Sequence, residues 1–154
     1  MPVKTKVMTI RFAEKEDIQS ILILCKLHAE YENSTFDETN KASLLLKYLF
    51  DDNDTLKCFV VVKNKEIIGY ATFMKQFATW DASIYLYLDC LFFLDTYRGK
   101  GLGTLLMSKI KAYAKAEKCS HVEWQTPNFN KKAILFYKKI EAISKAKERF
   151  YWNI

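Results

Sequence analysis

Residues 98–104 are the segment whose residue types and spacing point most directly to chemistry. They read Arg-Gly-Lys-Gly-Leu-Gly-Thr, and three of the four glycines of the chain lie here. Glycine reaches left-handed backbone angles without a steric penalty, so a strand can turn sharply through this segment into a helix. Such a turn leaves several backbone N–H groups unpaired at the positive end of the helix dipole. The segment is therefore predicted to bind an anion, with phosphate as the leading candidate.

Two widespread phosphate-binding motifs do not fit this segment. A nucleoside triphosphate loop reads G-x-x-x-x-G-K-S/T, and no lysine follows Gly103. A dinucleotide loop reads G-x-G-x-x-G, and its third glycine would fall on Thr104 or Leu106. The spacing that does fit is R-x-x-G-x-G, which starts at Arg98.

This spacing resembles the pattern Q/R-x-x-G-x-G/A of the GNAT superfamily of N-acetyltransferases, whose loop holds the pyrophosphate of acetyl-coenzyme A. The resemblance implies that the same co-substrate binds here, without a metal ion. It also implies that the strand before the loop holds the pantetheine arm through its backbone, and that an asparagine and its neighbours further along touch the coenzyme. The matching positions are Leu91, Phe92, Phe93, Arg98, Gly99, Lys100, Gly101, Leu102, Gly103, Thr104, Asn130, Lys132 and Ala133.

Tyr137 is the candidate acid. The family carries a tyrosine at this place in a short helix, and that tyrosine donates a proton to the departing thiolate. An unperturbed phenol titrates at about pH 10 and a thiol at about pH 8.5, which is a fair match for proton transfer. The alternative is an ordinary core aromatic. Asn130, which precedes the same helix, is by its own chemistry an N-cap.

Asp89 is the one charged residue among residues 84–94. An unpaired carboxylate buried in such a strand would have to take up a proton. Asp89 must therefore be paired with a cation, solvated by a cleft or involved in the reaction. The diamine N-acetyltransferases, which the chain resembles more closely at residues 31–32 and 97–99, place an acidic residue here that faces the acceptor amine. The resemblance implies that Asp89 helps to deprotonate the amine, and its short side chain favours transfer through water. A structural ion pair is the alternative.

The same resemblance implies where the acceptor amine binds. Tyr31 and Glu32 match substrate-facing positions of the diamine enzymes, and Trp80 lies near the position of their aromatic acceptor wall. A solvated helix end is the alternative for Tyr31 and Glu32. His28 has no partner at a spacing suited to metal binding or to a nucleophilic triad, and it is expected on the surface. Because it lies mid-helix beside acidic residues, assistance in acceptor binding is the alternative.

The charge is distributed unevenly along the chain. Residues 1–96 hold 11 Lys and Arg against 14 Asp and Glu, whereas residues 97–154 hold 13 against 4. A basic second half suits the phosphates of coenzyme A, and an acidic first half suits a cationic acceptor. The basic half lacks the interleaved exposed aromatic residues typical of nucleic-acid binding, so no nucleic-acid partner is expected.

Length and composition indicate one folded domain over residues 1–154. The chain is 50% hydrophobic and 15% aromatic, and no low-complexity segment marks a linker. Its longest nearly apolar run, residues 84–94, is too short to span a bilayer and wrongly placed for a signal peptide. A cytoplasmic protein without a membrane partner is therefore expected. The four cysteines show neither zinc spacing nor C-x-x-C pairing, and they are expected to be reduced core residues.

Hydrophobic periodicity predicts the elements that would position these residues. The patterns indicate strands at 7–12, 58–62, 67–76, 84–94, 121–125 and 149–152 and helices at 14–32, 40–50, 101–118 and 130–139. This order is that of the GNAT fold, so the resemblance implies an α/β fold with a mixed, mostly antiparallel sheet flanked by about four helices. Glu141 replaces the usual glycine after the last helix, so the exit of that helix should differ or be strained.

The expected function is transfer of an acetyl group from acetyl-coenzyme A directly to a primary amine of a small molecule, a polyamine or a lysine-like amino acid. No cysteine stands in a nucleophile setting, so no covalent acyl-enzyme is needed. Two alternatives stay open: a coenzyme A-binding regulatory module without catalysis, and acetylation of proteins or peptides. Similar enzymes are often dimers, so a homodimer is expected.

Overall fold

The computed structural model describes residues 8–52 and 55–154. Five strands form one sheet in chain order: β1 Met8–Phe12, β2 Lys57–Lys63, β3 Glu66–Ala78, β4 Ser83–Phe93 and β5 Val122–Trp124. Its helices are α1 Ile18–Tyr31, α2 Lys41–Leu46, α3 Leu102–Ala116 and α4 Lys131–Lys139. Strands β1 to β4 are antiparallel to their neighbours, and β5 runs parallel to β4. The predicted α/β fold with a mixed, mostly antiparallel sheet and four helices is confirmed.

The helices lie close to their predicted positions. The segment predicted as one helix over residues 14–32 begins with a 3₁₀ turn, Lys15–Asp17, before α1. The segment predicted over residues 40–50 is α2 followed by a π-helical turn, Lys47–Asp51. None of the helices in the two described ranges is long and apolar enough to cross a membrane. Val7, the first residue of the first predicted strand, lies outside the described residues.

The central strands are buried on both faces of the sheet. Alternate residues of a strand point to opposite faces. Phe59 and Val61 of β2 accordingly belong to one apolar cluster, with α3, and Cys58 and Val60 belong to the other, with α1. A fully buried large aliphatic or aromatic side chain contributes about 1.5–3 kcal/mol. The two clusters therefore hold α1 and α3 rigidly on opposite sides of β4.

Strand β4 contains one additional residue. Cys90 pairs with Thr72 and Leu88 pairs with Phe73, so Asp89 has no partner on β3. A bulge of this kind bends the strand and redirects the extra side chain. Asp89 is accordingly exposed, although most of its strand is buried or half-buried.

Strands β4 and β5 separate before β4 ends. Their pairing stops at Leu88 and Trp124, whereas β4 continues beside β3 as far as Phe93. Within residues 8–52 and 55–154, the backbone of residues 89–93 therefore has no neighbouring strand on its β5 side. We call this gap, between residues 89–93 and Trp124, the β4–β5 opening. Unpaired N–H and C=O groups along such an edge can hydrogen-bond an extended ligand.

The predicted last strand is wrong. Residues 149–152 pair with no strand of the described chain, and the chain beyond α4 continues as an irregular C-terminal arm, residues 143–154. Phe150 and Trp152 in this arm are 92% and 94% exposed. The apolar pattern of the arm is that of a strand, but a strand also needs a neighbour to take its backbone hydrogen bonds.

The exit of α4 keeps the geometry that normally requires glycine. Glu141 has a φ of +67°. Its N–H donates to the carbonyl of Lys138 and the N–H of Ala142 donates to the carbonyl of Tyr137, both at 3.0 Å. Left-handed angles cost a non-glycine residue about 1–2 kcal/mol. Of the two predicted outcomes, strain is therefore the one observed.

Candidate active site

The glycine-rich segment forms the predicted sharp turn between β4 and α3. A 3₁₀ turn, Asp95–Tyr97, follows β4, and Gly99 and Gly101 then take φ angles of +71° and +79°. A Cβ atom at either glycine would meet nothing within 4 Å. The backbone angle, and not a lack of space, is therefore what requires glycine at these two positions.

The first turn of α3 opens toward this loop. Gly101 caps the helix, and its carbonyl accepts the first intrahelical hydrogen bond, from Leu105 at 3.2 Å. The N–H groups before Leu105 have no acceptor within the helix, and they lie at its positive end; they belong to Leu102, Gly103 and Thr104. Lys100 is exposed and adds a cation beside them. This turn can hold a phosphate group.

Gly103 has a second role in packing. A Cβ atom at this position would lie 3.0 Å from the tip of the Phe136 ring. Glycine therefore allows α3 to approach α4 closely, beside Tyr137. The third glycine of the motif therefore lets the start of α3 pack against α4, the helix that carries the candidate acid.

Arg98 joins the start of the loop to the end of α1. Its guanidinium carbon lies 4.4 Å from the ring centroid of Tyr31 and 4.9 Å from that of Phe92. Its Nε donates a hydrogen bond of 2.9 Å to the carbonyl of Phe93. Stacking of a guanidinium on aromatic rings is attractive, and more so where water is excluded. Arg98 thus holds Tyr31 near the end of β4.

Asn130 connects α1 to α4. Its Oδ1 accepts a hydrogen bond of 3.4 Å from the N–H of Ala133, which confirms the predicted N-cap. The same oxygen accepts a hydrogen bond of 3.3 Å from the hydroxyl of Tyr31. Tyr31 is therefore held by Asn130 at one end and covered by Arg98 on its ring.

Tyr137 lies at the start of the β4–β5 opening. Its ring packs on Trp124, with centroids 5.2 Å apart and planes at 64°. Burial, followed by the proximity of Glu32 and Tyr31, raises the pKa of Tyr137 to about 12. Like an ordinary phenol, Tyr137 is protonated at neutral pH and can donate to a thiolate, but the raised pKa makes it a weaker acid than a free phenol.

His28 is half-buried, with its ring packed against the sheet, whereas the sequence-based expectation was a surface position. Its side chain is 14% exposed, and its ring stacks on Phe92 with centroids 5.0 Å apart. Its Nδ1 lies 2.9 Å from the hydroxyl of Tyr70, and its Nε2 lies 3.4 Å from a carboxylate oxygen of Glu32. The signal was present in the sequence, because residues 21, 24, 25 and 28 follow the i, i+3, i+4, i+7 spacing of one helix face.

Most of the predicted site residues are brought together. A group that we call the α1–α4 cluster consists of Tyr31, Glu32, Phe92, Arg98, Asn130 and Tyr137. Asp89 is near enough to influence the pKa of His28, beside this cluster. The remaining predicted coenzyme positions lie next to it on β4, on the loop and on the first turn of α4; they are Leu91, Phe93, Gly99, Lys100, Gly101, Leu102, Gly103, Thr104, Lys132 and Ala133.

Trp80 is not brought to the cluster. It lies in the turn between β3 and β4 and is fully exposed. Within the described part of the chain, no group of three or more His, Cys, Asp and Glu residues could hold a metal ion. Cys58 is buried, and the other three cysteines are half-buried free thiols.

The chain is similar to known acetyltransferases over most of its length. The family model described as the acetyltransferase (GNAT) family matches residues 17–141. Mouse thialysine N-epsilon-acetyltransferase is 26% identical over 141 residues, which cover 86% of this chain and 82% of the mouse protein. Human spermidine/spermine N(1)-acetyltransferase-like protein 1 is 26% identical over 146 residues, which cover 90% of this chain and 21% of the human protein.

A solved structure shows the same fold. Aminoglycoside N-acetyltransferase AAC(6')-Iy in complex with CoA aligns with a TM-score of 0.81 over 99% of both chains, at 17% identity. The family match extends from the start of α1 to the exit of α4, so it includes the loop, the β4–β5 opening and Tyr137. The protein is therefore an acetyl-transferring enzyme of the acetyltransferase (GNAT) family, which uses acetyl-coenzyme A.

Proposed function

We propose that the protein transfers the acetyl group of acetyl-coenzyme A directly to a primary amine of a small cationic molecule, a polyamine or a lysine-like amino acid. One observation carries the proposal: the phenol of Tyr137 packs on Trp124 at the start of the β4–β5 opening, with Glu32 near enough to raise its pKa. The acid serves the leaving thiolate and the carboxylate attracts an ammonium group. The activities named for the mouse and human relatives support an amine acceptor.

The proposed donor site runs along β4 and the loop. The pyrophosphate would accept hydrogen bonds from the first turn of α3, with Arg98 and Lys100 as nearby cations. The pantetheine arm would pair with the β5-side backbone edge of residues 91–93, which no strand occupies. Asn130, Lys132 and Ala133 would line its path at the start of α4. The two left-handed glycines and the free strand edge support this fit.

The proposed reaction begins with a neutral amine. An ammonium proton leaves through water to Asp89, and the freed nitrogen attacks the carbonyl carbon of the thioester. Formation of the C–N bond gives a tetrahedral intermediate. As this intermediate collapses, the C–S bond breaks and Tyr137 protonates the sulfur. The nitrogen loses its second proton in this step, and that proton restores the phenol of Tyr137. The products are the amide and the free thiol of coenzyme A.

A panel of amines with acetyl-coenzyme A tests this proposal. We expect release of free thiol with diamines and lysine-like amines, at a kcat of about 1–10³ s⁻¹, and much slower release with peptides that carry only an α-amine. A colorimetric thiol reagent gives the rate, and mass spectrometry identifies the acetylated product. Binding of acetyl-coenzyme A without turnover on any amine would contradict the proposal and favour a regulatory module. Turnover on peptides alone would favour protein acetylation.

We also infer that the protein is a homodimer. The C-terminal arm has the apolar pattern of a strand and exposes Phe150 and Trp152. Strand β5 is at the edge of the sheet, so its outer backbone is open for another strand. The arm and the edge belong to the same chain but do not pair with each other, and two copies related by a two-fold axis would satisfy both. We infer that each arm adds to β5 of the other copy.

Deleting residues 148–154 is expected to turn the dimer into a monomer. The deletion removes the three aromatic side chains of the arm and leaves every described helix and strand in place. Size-exclusion chromatography with light scattering should give twice 18.1 kDa for the full chain and a single chain mass for the truncated one. Phe77→Ser, which removes an exposed aromatic from β3, is the matched control and should stay dimeric. A monomeric full chain or a dimeric truncated chain would overturn the inference.

A further inference from the structure

A chain of polar side chains runs from the core of the protein to the α1–α4 cluster. Tyr70, on β3, is 1% exposed, and the thiols of Cys25 and Cys90 are near enough to influence the pKa of its hydroxyl. That hydroxyl lies 2.9 Å from Nδ1 of His28. The other ring nitrogen of His28 lies 3.4 Å from Glu32, one turn later on α1.

The direction of the hydrogen bonds follows from the chemistry of the three groups. A neutral imidazole carries its proton on one nitrogen only. If the proton were on Nδ1, the lone pair of Nε2 would face the carboxylate of Glu32, and two acceptors would oppose each other. If the proton is on Nε2, the hydroxyl of Tyr70 donates to Nδ1, and the protonated Nε2 lies 3.4 Å from a carboxylate oxygen of Glu32, which it attracts. Burial raises the pKa of Tyr70 well above its ordinary value, so the hydroxyl keeps the proton that it donates.

His28 is also fixed in its ring plane. Phe92 of β4 stacks on one face of the imidazole at an angle of 20°, and Tyr70 meets it nearly edge-on at 73°. Because two aromatic rings and one hydroxyl already fix the His28 ring, its side chain loses little further conformational entropy when it contacts Glu32. Glu32 stands at the outer end of this series of polar side chains, and its side chain is partly exposed. It is near enough to Tyr137 to raise the pKa of that phenol.

We propose that His28, held by Tyr70, is a positioning residue that fixes the carboxylate of Glu32 to receive the ammonium group of the acceptor. This inference rests on the proposed function, because it names how the acceptor half of that site is held. One oxygen of Glu32 lies 3.4 Å from Nε2 of His28, and the other is left for the cation. His28 itself does not touch the acceptor in this arrangement, so its removal acts through Glu32.

Kinetics of four variants test the proposal with the best amine of the panel. His28→Leu should raise the KM for the amine about 10-fold, as expected for loss of a hydrogen bond to a charged group, and change the KM for acetyl-coenzyme A less than twofold. His28→Gln retains an amide N–H at the place of Nε2, so it should restore most of the affinity. Tyr70→Phe should raise the KM for the amine about 3-fold. The double variant His28→Leu with Glu32→Gln should be no worse than Glu32→Gln alone.

His121 supplies the matched control. It is the only other histidine of the chain, and its Nε2 lies 3.6 Å from a carboxylate oxygen of Glu123 on the surface. His121→Leu should leave both KM values unchanged. An unchanged KM for the amine in both His28→Leu and Tyr70→Phe, or additive effects in the double variant, would overturn the proposal. Tyr70→Phe removes one oxygen only, so it keeps the test decisive if His28→Leu does not fold.

Nitrogen-15 NMR of the two histidines separates this inference from the proposed function, because it needs no turnover. Burial lowers the pKa of His28, Glu32 and Asp89 oppose that effect, and Arg98 adds to it. His28 should therefore give the signals of a neutral ring protonated on Nε2 at pH 7, and Tyr70→Phe should shift them. His121→Gln assigns the spectrum. A ring protonated on Nδ1 would overturn the hydrogen-bond chain even if the enzyme acetylates amines.

Discussion

Replacing Tyr137 with phenylalanine is expected to lower kcat by about 10²-fold or more. A positioned general acid contributes about 10²–10⁴-fold, and this substitution removes the proton that the thiolate needs while keeping the ring on Trp124. The KM for acetyl-coenzyme A should change less than twofold, because the proton matters only as the C–S bond breaks. Steady-state kinetics with the best amine gives both constants.

Tyr113 provides the control for this prediction. It is also a half-buried tyrosine, but its ring packs on Phe59 and Phe73 in the core beneath α3. Tyr113→Phe should therefore leave kcat within about twofold. A kcat for Tyr137→Phe that stays within threefold of the parent enzyme would remove Tyr137 as the acid. The raised pKa would then be only a consequence of burial.

The donor half of the site was predictable because its requirements are local. Gly99 and Gly101 take the left-handed angles that the spacing of the motif indicated, and Asn130 caps α4 as its residue type suggested. Each of these features depends on residues within a few positions along the chain. The same holds for Glu141, whose departure from glycine indicated strain that the structure then shows.

The acceptor half was less predictable because its contacts join distant segments. His28 is 42 residues from Tyr70 and 64 from Phe92, and the burial of its ring depends on both. Helical spacing could have placed it on the buried face of α1, but only the fold supplies the hydroxyl that orients it. Trp80 shows the opposite case. It is close to β4 in sequence, but it lies in an exposed turn away from the α1–α4 cluster.

The C-terminal arm shows why an apolar pattern alone does not make a strand. Residues 150–152 are three consecutive aromatic residues, a type that strands favour, yet a strand forms only where another backbone accepts its hydrogen bonds. The prediction of a strand here was wrong because the pattern shows a preference for extended backbone but does not supply a partner. The homodimer inferred above supplies a partner from a second copy.

Asp89 is the residue whose role the sequence left most open, and its substitution is the second large effect that we expect. The bulge in β4 makes it an extra, exposed residue in the strand that borders the opening. Asp89→Asn should lower kcat/KM for the amine by about 10²-fold, because asparagine keeps the shape and loses the base. Asp89→Glu retains the carboxylate and should stay within about tenfold of the parent enzyme. Asp81→Asn, an exposed carboxylate in the β3–β4 turn, is the control and should have no effect.

The pH dependence of the Asp89→Asn defect distinguishes a base from an ion pair. A lysine-type amine titrates at about pH 10.4, so at neutral pH almost every acceptor arrives as an ammonium ion and needs a proton acceptor. As the pH rises toward that value, the acceptor arrives already neutral and the missing carboxylate matters less. The ratio of parent to variant kcat/KM should therefore fall steadily between pH 7 and pH 10. A ratio that stays constant over this interval would assign Asp89 a structural role, because the loss of an ion pair is independent of the charge on the amine.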